Sequence, residues 1–344
     1  MKFTFGRRLV HAFAALTTFC TLLLLVSGGL VTSHGAGLAV PDWPNSFGYN
    51  MFALPFSRWL GTQAGGVFWE HSHRLIASGI GFLTLVLVAL IFKVENRRWM
   101  KILAICALVG VCIQGLLGGL RVTMLKDELG IFHGMLAQSF FVLLGVITIS
   151  TSRTFLERRW APAMDTGRAR GIALALVVAT FVQLGIAATM RHEHAGLSIP
   201  DFPLAYGRIL PDTSETAVAA INAQRYADGK VPTTAGQIWL QMAHRILAVG
   251  IAVLTFVLLK RCSNLPPAVR RTAWLLTGMV LVQIALGAWT VWSDKAADIA
   301  TAHMALGALF FFVSALLTYR LCAMRAQWVG ATPAVPSGAR LASA

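Results

Sequence analysis

Eight long apolar runs, divided by short polar connections, set the pattern of this chain. They fall near residues 12–31, 67–92, 99–120, 130–150, 170–189, 236–259, 271–292 and 299–321. Each is close to the roughly 20 residues that a helix needs to cross a bilayer. The pattern predicts an all-α integral membrane protein. The first run follows Arg7 and Arg8, as a signal peptide would. It is longer than a usual signal-peptide core and no small-x-small site closes it, so it reads as a retained helix.

The pattern also repeats. Gly37-Leu38-Ala39-Val40-Pro41-Asp42-Trp43-Pro44 matches Gly196-Leu197-Ser198-Ile199-Pro200-Asp201-Phe202-Pro203, at a register of 159 residues. Further on the register is about 170. Gln114 and Gly118 match Gln283 and Gly287, and His133 matches His303. The second long loop therefore carries an insertion near 208–232. A repeat of four runs predicts two pseudo-symmetric four-helix bundles, as parallel repeats about an axis along the membrane normal. The expected units are 1–162 and 163–329, divided near Pro162. An Ala/Pro/Ser/Gly-rich tail, 330–344, is expected to be disordered.

Composition agrees with the apolar pattern. Hydrophobic residues make up 56% of the chain and charged residues 12%, against about 25% charged in a soluble protein. The net charge of +15 could suggest nucleic acid, but its distribution excludes that. The termini and the connections near 93–101, 151–170 and 260–271 hold 19 Lys and Arg against 3 Asp and Glu. The rest of the chain holds 10 against 11. This is the positive-inside asymmetry of a membrane protein. It places both termini in the cytoplasm and the long loops, 32–66 and 190–235, outside. With no long Arg/Ser-rich presequence, a bacterial cytoplasmic (inner) membrane is expected. None of the five cysteines falls in an outer loop, which predicts no structural disulfide.

The chemistry gathers at one level. Glu70-His71-Ser72-His73-Arg74 opens the second run, and Gln241-Met242-Ala243-His244-Arg245 opens the sixth. With His133 and His303, four histidines stand in the first turns of the four even helices, near the outer face. A single intramembrane histidine is readily explained as bonded to a backbone carbonyl; four at repeat-related positions are not. Two imidazoles per half on alternate helices suit bis-histidine ligation of a haem iron. Zinc or copper would call for three or four ligands close together. Arg74 and Arg245 each follow a histidine, and a guanidinium fork matches a haem propionate; snorkelling to the interface is the plainer alternative. Glu70 shares a helical face with His73, while His71 points away and reads as a satisfied interface residue. His34, His192 and His194 read as solvated loop residues. The proline-flanked loops read equally as a lid or as an interfacial anchor. Gly115, Gly118 and Gly119 read as close-packing positions, and Gln114, Gln183 and Gln283 as interhelical hydrogen-bonding groups.

These residues resemble the haem A synthase family of eight-helix membrane proteins. Glu70-x-x-His73-Arg74, His133, His244-Arg245, His303 and the Gly-Leu-x-x-Pro-Asp-Trp-Pro loop carry the resemblance, over roughly residues 8–325. That family oxidises a ring methyl of haem O to a formyl group, giving haem A for terminal oxidase. The resemblance implies that His73 and His133 bind the substrate haem O, with Glu70 as the catalytic carboxylate. It implies that His244 and His303 hold a haem b cofactor. Candidate partners are then a haem O synthase, the cytochrome oxidase assembly machinery, membrane lipid and further copies of the chain. The residues agree on which half reacts: a carboxylate can relay protons and the amide at Gln241 cannot. A non-catalytic di-haem electron carrier or haem-handling assembly factor is the alternative, and a transporter is a weaker one. The chain departs from the family after Gly28-Gly29, where Thr32-Ser33-His34-Gly35-Ala36 follows, and it has no cysteine pair in the first outer loop.

Overall fold

The computed structural model describes residues 4–61, 65–157 and 161–331. The tail expected to be disordered lies, beyond Ala331, outside the described residues. Among the described residues, eight helices are long and apolar enough to cross a membrane. They are α1 (Phe5–Ser33), α2 (Gly66–Val94), α3 (Arg98–Met124) and α4 (Asp127–Thr151), then α5 (Ala169–His192), α6 (Ala235–Arg261), α7 (Pro267–Trp292) and α8 (Ala297–Ala331). Short helices occupy the connections, the longest being Glu215–Ala227 inside the expected insertion. No strand is present among the described residues, only two isolated bridges. The chain is a multi-pass membrane protein, with eight candidate spans among the described residues.

Local chemistry explains where helices begin and end. Thr234 and Gln237 form a capping box that opens α6. Pro267 occupies the first turn of α7, where no N–H is needed. Leu125 stops α3 in the left-handed region at φ 52°, and Asp294 does the same after α7. Inside the spans, buried threonines bond back to a carbonyl four residues earlier. Thr21 does so at 2.7 Å, Thr84 at 2.8 Å, Thr180 at 2.7 Å and Thr255 at 2.8 Å. A hydroxyl satisfied by its own helix leaves nothing polar for lipid or core.

Packing follows the repeat. Helix α1 lies against α2 and α4, and α3 lies against both α2 and α4. In the same way α5 lies against α6 and α8, and α7 against α6 and α8. Contacts of α1 with α8, of α5 with α4 and of α4 with α8 join the two rings. Each ring has its own apolar core. In the first, Ala14, Leu87, Met100, Leu144 and Ile147 are fully buried together; in the second, Leu176, Leu258, Leu276 and Leu321 are. Both cores fill the end of the rings remote from the long loops. The first begins at Ile80 on α2 and ends at Phe140 on α4, so it stops short of the histidines. Large apolar side chains such as Phe82, Phe132 and Trp274 face outward, as lipid-facing positions do.

The other end of the first ring is tied by charge. Buried Glu95 pairs with Arg97, and Arg7 lies 3.9 Å from it. Burial raises the Glu95 carboxyl, but the two arginines outweigh it and hold it below its usual range.

Candidate functional site

The loop-bearing end builds the same small structure twice. Asp42 accepts hydrogen bonds from the N–H groups of Phe47 at 2.6 Å and Gly48 at 2.8 Å. Asp201 accepts from Tyr206 and Gly207, both at 2.8 Å. Phe47 and Tyr206 both have φ 53°, and glycine follows each at φ 77° and 74°. The Asp side chain secures a left-handed turn that the glycine makes accessible. Burial pushes the Asp42 carboxyl up. The N–H groups of Gly48 and Phe47 and the charge of Arg74 outweigh that and hold it below the usual range. The repeat thus runs beyond Pro44 and Pro203, to Tyr49 and Arg208.

Helix α2 grips the first loop and α6 the second. Glu70 is 4% exposed, and both its oxygens are engaged. Oε2 accepts from Val40 N–H at 2.8 Å and Oε1 from Arg74 Nη2 at 2.7 Å. Gln241 accepts from Ile199 N–H at 2.6 Å and donates to Gly196 O at 3.0 Å. Arg74 also donates to the carbonyls of Asp42, Asn45 and Val40, at 2.7, 3.2 and 3.0 Å. Arg245 donates to those of Leu204 and Asp201, both at 2.8 Å. The structure therefore gives the two arginines loop carbonyls as partners. It gives Glu70 a loop-holding bond that sequence reasoning missed.

The four histidines take matching places. A Cβ on Gly28 would meet the His73 ring at 3.1 Å, and Cβ atoms on Gly118 and Gly287 would meet His133 and His303 at the same distance. Glycine lets three of the rings come close against a neighbouring helix. Glutamines fix the backbone behind three rings. Gln114 donates to His133 O at 3.0 Å, Gln183 to His244 O at 2.9 Å and Gln283 to His303 O at 3.0 Å. His73 is the exception, for the position matching Gln183 is Leu24. The His244 and His303 rings stand 6.4 Å apart between centroids, tilted by 58°. His73 and His133 lie within electrostatic reach of each other. All four Nδ1 atoms are buried without a hydrogen-bond partner among the described residues. A buried ring nitrogen left unsatisfied at four equivalent positions asks for a ligand. Among the described residues no three of His, Cys, Asp or Glu converge as a metal cluster. The unit is a pair of imidazoles in each half.

The other candidates fall out as follows. His71 is buried, 3.3 Å from Ser46 Oγ and packed on Trp59, as an interface residue. His34 stacks on Trp69 at 4.3 Å. His192 was expected in solvent, but the structure makes it the last residue of α5, against Gly130 of α4. Gly119 receives the Trp43 ring. In the second half, Phe202 shares an open groove of about 580 Å³ with Ala288, the counterpart of Gly119.

Comparison with known proteins then places the chain. The profile of the COX15-CtaA family, described as cytochrome oxidase assembly protein, matches residues 11–315. The chain belongs to the COX15-CtaA family. Relatives of this COX15-CtaA protein include the heme A synthase of Exiguobacterium sibiricum, 26% identical over 91% of this chain and 95% of the relative. The heme A synthase of Geobacillus kaustophilus is 26% identical, over 93% and 94% of the two chains. That of Shewanella oneidensis is 25% identical, over 89% and 94%. The COX15-CtaA match spans both rings and all four histidines.

Proposed function

We propose that the chain is a haem A synthase of a bacterial inner membrane, with the long loops outside and both termini in the cytoplasm. The family match and the heme A synthase relatives support the activity, and the basic connections support the orientation. One observation carries the site assignment: four imidazoles at repeat-related positions, each with a buried nitrogen that no group among the described residues satisfies. The apolar cores stop below that level in both rings, which leaves the histidine end for a large ligand. His73 and His133 would hold the substrate haem O, and His244 and His303 a haem b. When bound, haem b supplies one-electron redox chemistry.

The protein's own residues divide the labour. His244 is braced by Gln183 and His303 by Gln283, which suits a fixed cofactor. His73 lacks such a brace, which suits a site whose occupant is exchanged. Glu70 is a carboxylate one turn before a proposed ligand, and Gln241 stands in its place in the other half. In this reading Glu70 accepts or relays protons as the ring methyl is oxidised. It also holds the first loop through the Val40 N–H. Haem O synthase, the oxidase assembly machinery and other copies of the chain are the proposed partners.

The test is co-expression with a haem O source and chromatography of extracted pigment. Haem A should appear with this chain and not without it. Haem O unchanged, with two haems bound, would instead favour the electron-carrier reading.

A further inference from the structure

The last turns of α1 lie against elements of both halves. Gly28 and Gly29 stand side by side there and face different ways, since helix neighbours are about 100° apart. A Cβ on Gly28 would meet the His73 ring of α2 at 3.1 Å. A Cβ on Gly29 would instead meet α8, at Met304 Cε and, at 3.1 Å, at Thr301 Cγ2. Met304 directly follows His303. One short stretch of backbone thus abuts a proposed ligand of the first half and the neighbour of one in the second. In α5 the repeat places Ala187 and Ala188 at the matching positions. His244 has its backbone held by Gln183, whereas Leu24 stands at the matching place behind His73. The place of His73 therefore depends on α1 more than that of His244 depends on α5.

An arginine of the other half holds this stretch. Arg191, near the end of α5, donates through Nη2 to Gly29 O at 3.1 Å and Ser33 Oγ at 2.7 Å. Gly29 and Ser33 are four residues apart, so both acceptors lie on one face of α1. Ser33 Oγ is 3.0 Å from Thr301 Oγ1. The Thr301 hydroxyl donates to Ala297 O at 2.7 Å, so Ser33 is the donor between the two hydroxyls. The bonds then run one way, from Arg191 to Ser33, to Thr301 and into the first turn of α8. A charged donor at the head of such a chain makes its first bonds strong ones. On the adjoining face of α1, Thr32 Oγ1 donates to Gly28 O at 2.9 Å, so both glycine carbonyls are engaged. The arrangement is not duplicated, since Thr32 stands where the repeat would place Arg191 and His192 where it would place Ser33.

We infer that Arg191, a residue of the second half, is a positioning residue for the histidine site of the first. By holding Gly29 it fixes the backbone at Gly28, against which the His73 ring packs. Through Ser33 and Thr301 it also sets that backbone against the helix that carries His303. One arginine would thus fix how the two sites stand relative to each other. This rests on the reading of His73 and His133 as iron ligands of the substrate haem. An imidazole takes its plane from the wall it rests on, so a small shift of α1 turns His73. His303 has its own brace in Gln283 and should not turn with it.

The test is electron paramagnetic resonance of the full-length protein loaded with haemin. The g-values of a low-spin ferric haem depend on how its two axial imidazoles are turned. The first-site signal is the part that His133→Ala removes, and the second-site signal the part that His303→Ala removes. Gly28→Ala presses a methyl on the His73 ring and should shift the first-site signal. Arg191→Gln, in the other half, should shift that same signal and leave the second-site signal in place. Arg191→Lys, which keeps the charge and loses the fork, should shift it part of the way. Ser33→Ala, which spares the bond to Gly29 O, should do the same. If Arg191→Gln does not accumulate, these two variants decide, and an unshifted first-site signal in both would overturn the inference. So would an unshifted signal in Arg191→Gln where Gly28→Ala shifts it, or a shift confined to the second site. If His133→Ala removes no signal, or Gly28→Ala shifts none, the reading of His73 and His133 as ligands fails, and the inference with it.

Discussion

Replacing Glu70 by Gln separates chemistry from clamping. The glutamine keeps an acceptor for Val40 N–H but brings an amide N–H group toward the Arg74 guanidinium. Arg74 retains the carbonyls of Asp42, Asn45 and Val40, so its charge is not left without acceptors. The loss is one charge-assisted hydrogen bond within α2, about 1.5–3 kcal/mol, and the Val40 N–H then donates to a neutral acceptor in place of a charged one. Native Gln241 shows that an amide can hold the equivalent loop. Glu70→Ala would also strand the Val40 N–H, adding about 1–3 kcal/mol. Glu70→Gln should therefore fold, bind haem and resist proteolysis in residues 37–49 nearly as the wild type does. Glu70→Ala should be cut there more readily. If the carboxylate relays protons, turnover by Glu70→Gln should fall about a hundredfold or more. Gln241→Glu should create no second reacting site. The assay is chromatography of haem O, hydroxylated intermediate and haem A from extracted pigment, beside limited proteolysis of the same preparations. Near-normal haem A from Glu70→Gln, with Glu70→Ala impaired only as far as its loop opens, would refute the proton-relay argument and leave Glu70 a clamp.

Four further outcomes are expected. His244→Ala or His303→Ala should each remove a low-spin haem, read by visible spectroscopy and pigment content; unchanged spectra in both would sink that pair. Reporters fused after Gln327 and within 93–101 should both report cytoplasm, and a periplasmic signal at either would contradict the orientation. Gly119→Ala should displace the Trp43 ring and lower activity or protein yield. Adding Trp43→Phe should restore it, since the other half pairs Phe202 with Ala288; additive losses in the double variant would show that the two sites are independent. The Asp42 carboxyl is held below its usual value when folded, so the unfolded loop binds a proton first. Its contribution is complete above about pH 4 and is lost as pH falls toward the lowered folded value. Hydrogen exchange of Phe47 and Gly48 should rise over that window in the wild type and not in Asp42→Asn.

The spans were legible because lipid demands long apolar runs, and that demand is written residue by residue. Their ends were less so. Helix α1 starts at Phe5 and α8 runs to Ala331, where polar residues continue a helix begun by apolar ones. The histidine level was legible because it falls early in four runs. The partners of Glu70 and Arg74 were not. Val40 and Asp42 reach them only once a loop some 30 residues away in sequence folds back, and the acceptors are backbone atoms that every residue carries. The glycines beneath His73, His133 and His303 look like any helix-packing glycines until the rings are placed. His192 looks like an ordinary helix-end residue for the same reason. The left-handed turns at Phe47 and Tyr206 carry a readable signal, the Asp five residues earlier and the Gly directly after. That signal lies beyond the sequence match, which stops at Pro44.

The way the two rings meet carries a consequence for the origin of the chain. Under the repeat, α1 corresponds to α5 and α4 to α8, so the contact of α1 with α8 is the twin of that between α5 and α4. The contact of α4 with α8 maps onto itself, since each of these helices is the counterpart of the other. That is the self-complementary pattern of a twofold homodimer. The chain has the form of such a dimer joined end to end. Fusion would have released each copy from having to match the other, so one half could keep a carboxylate at position 70 while the other took an amide at 241.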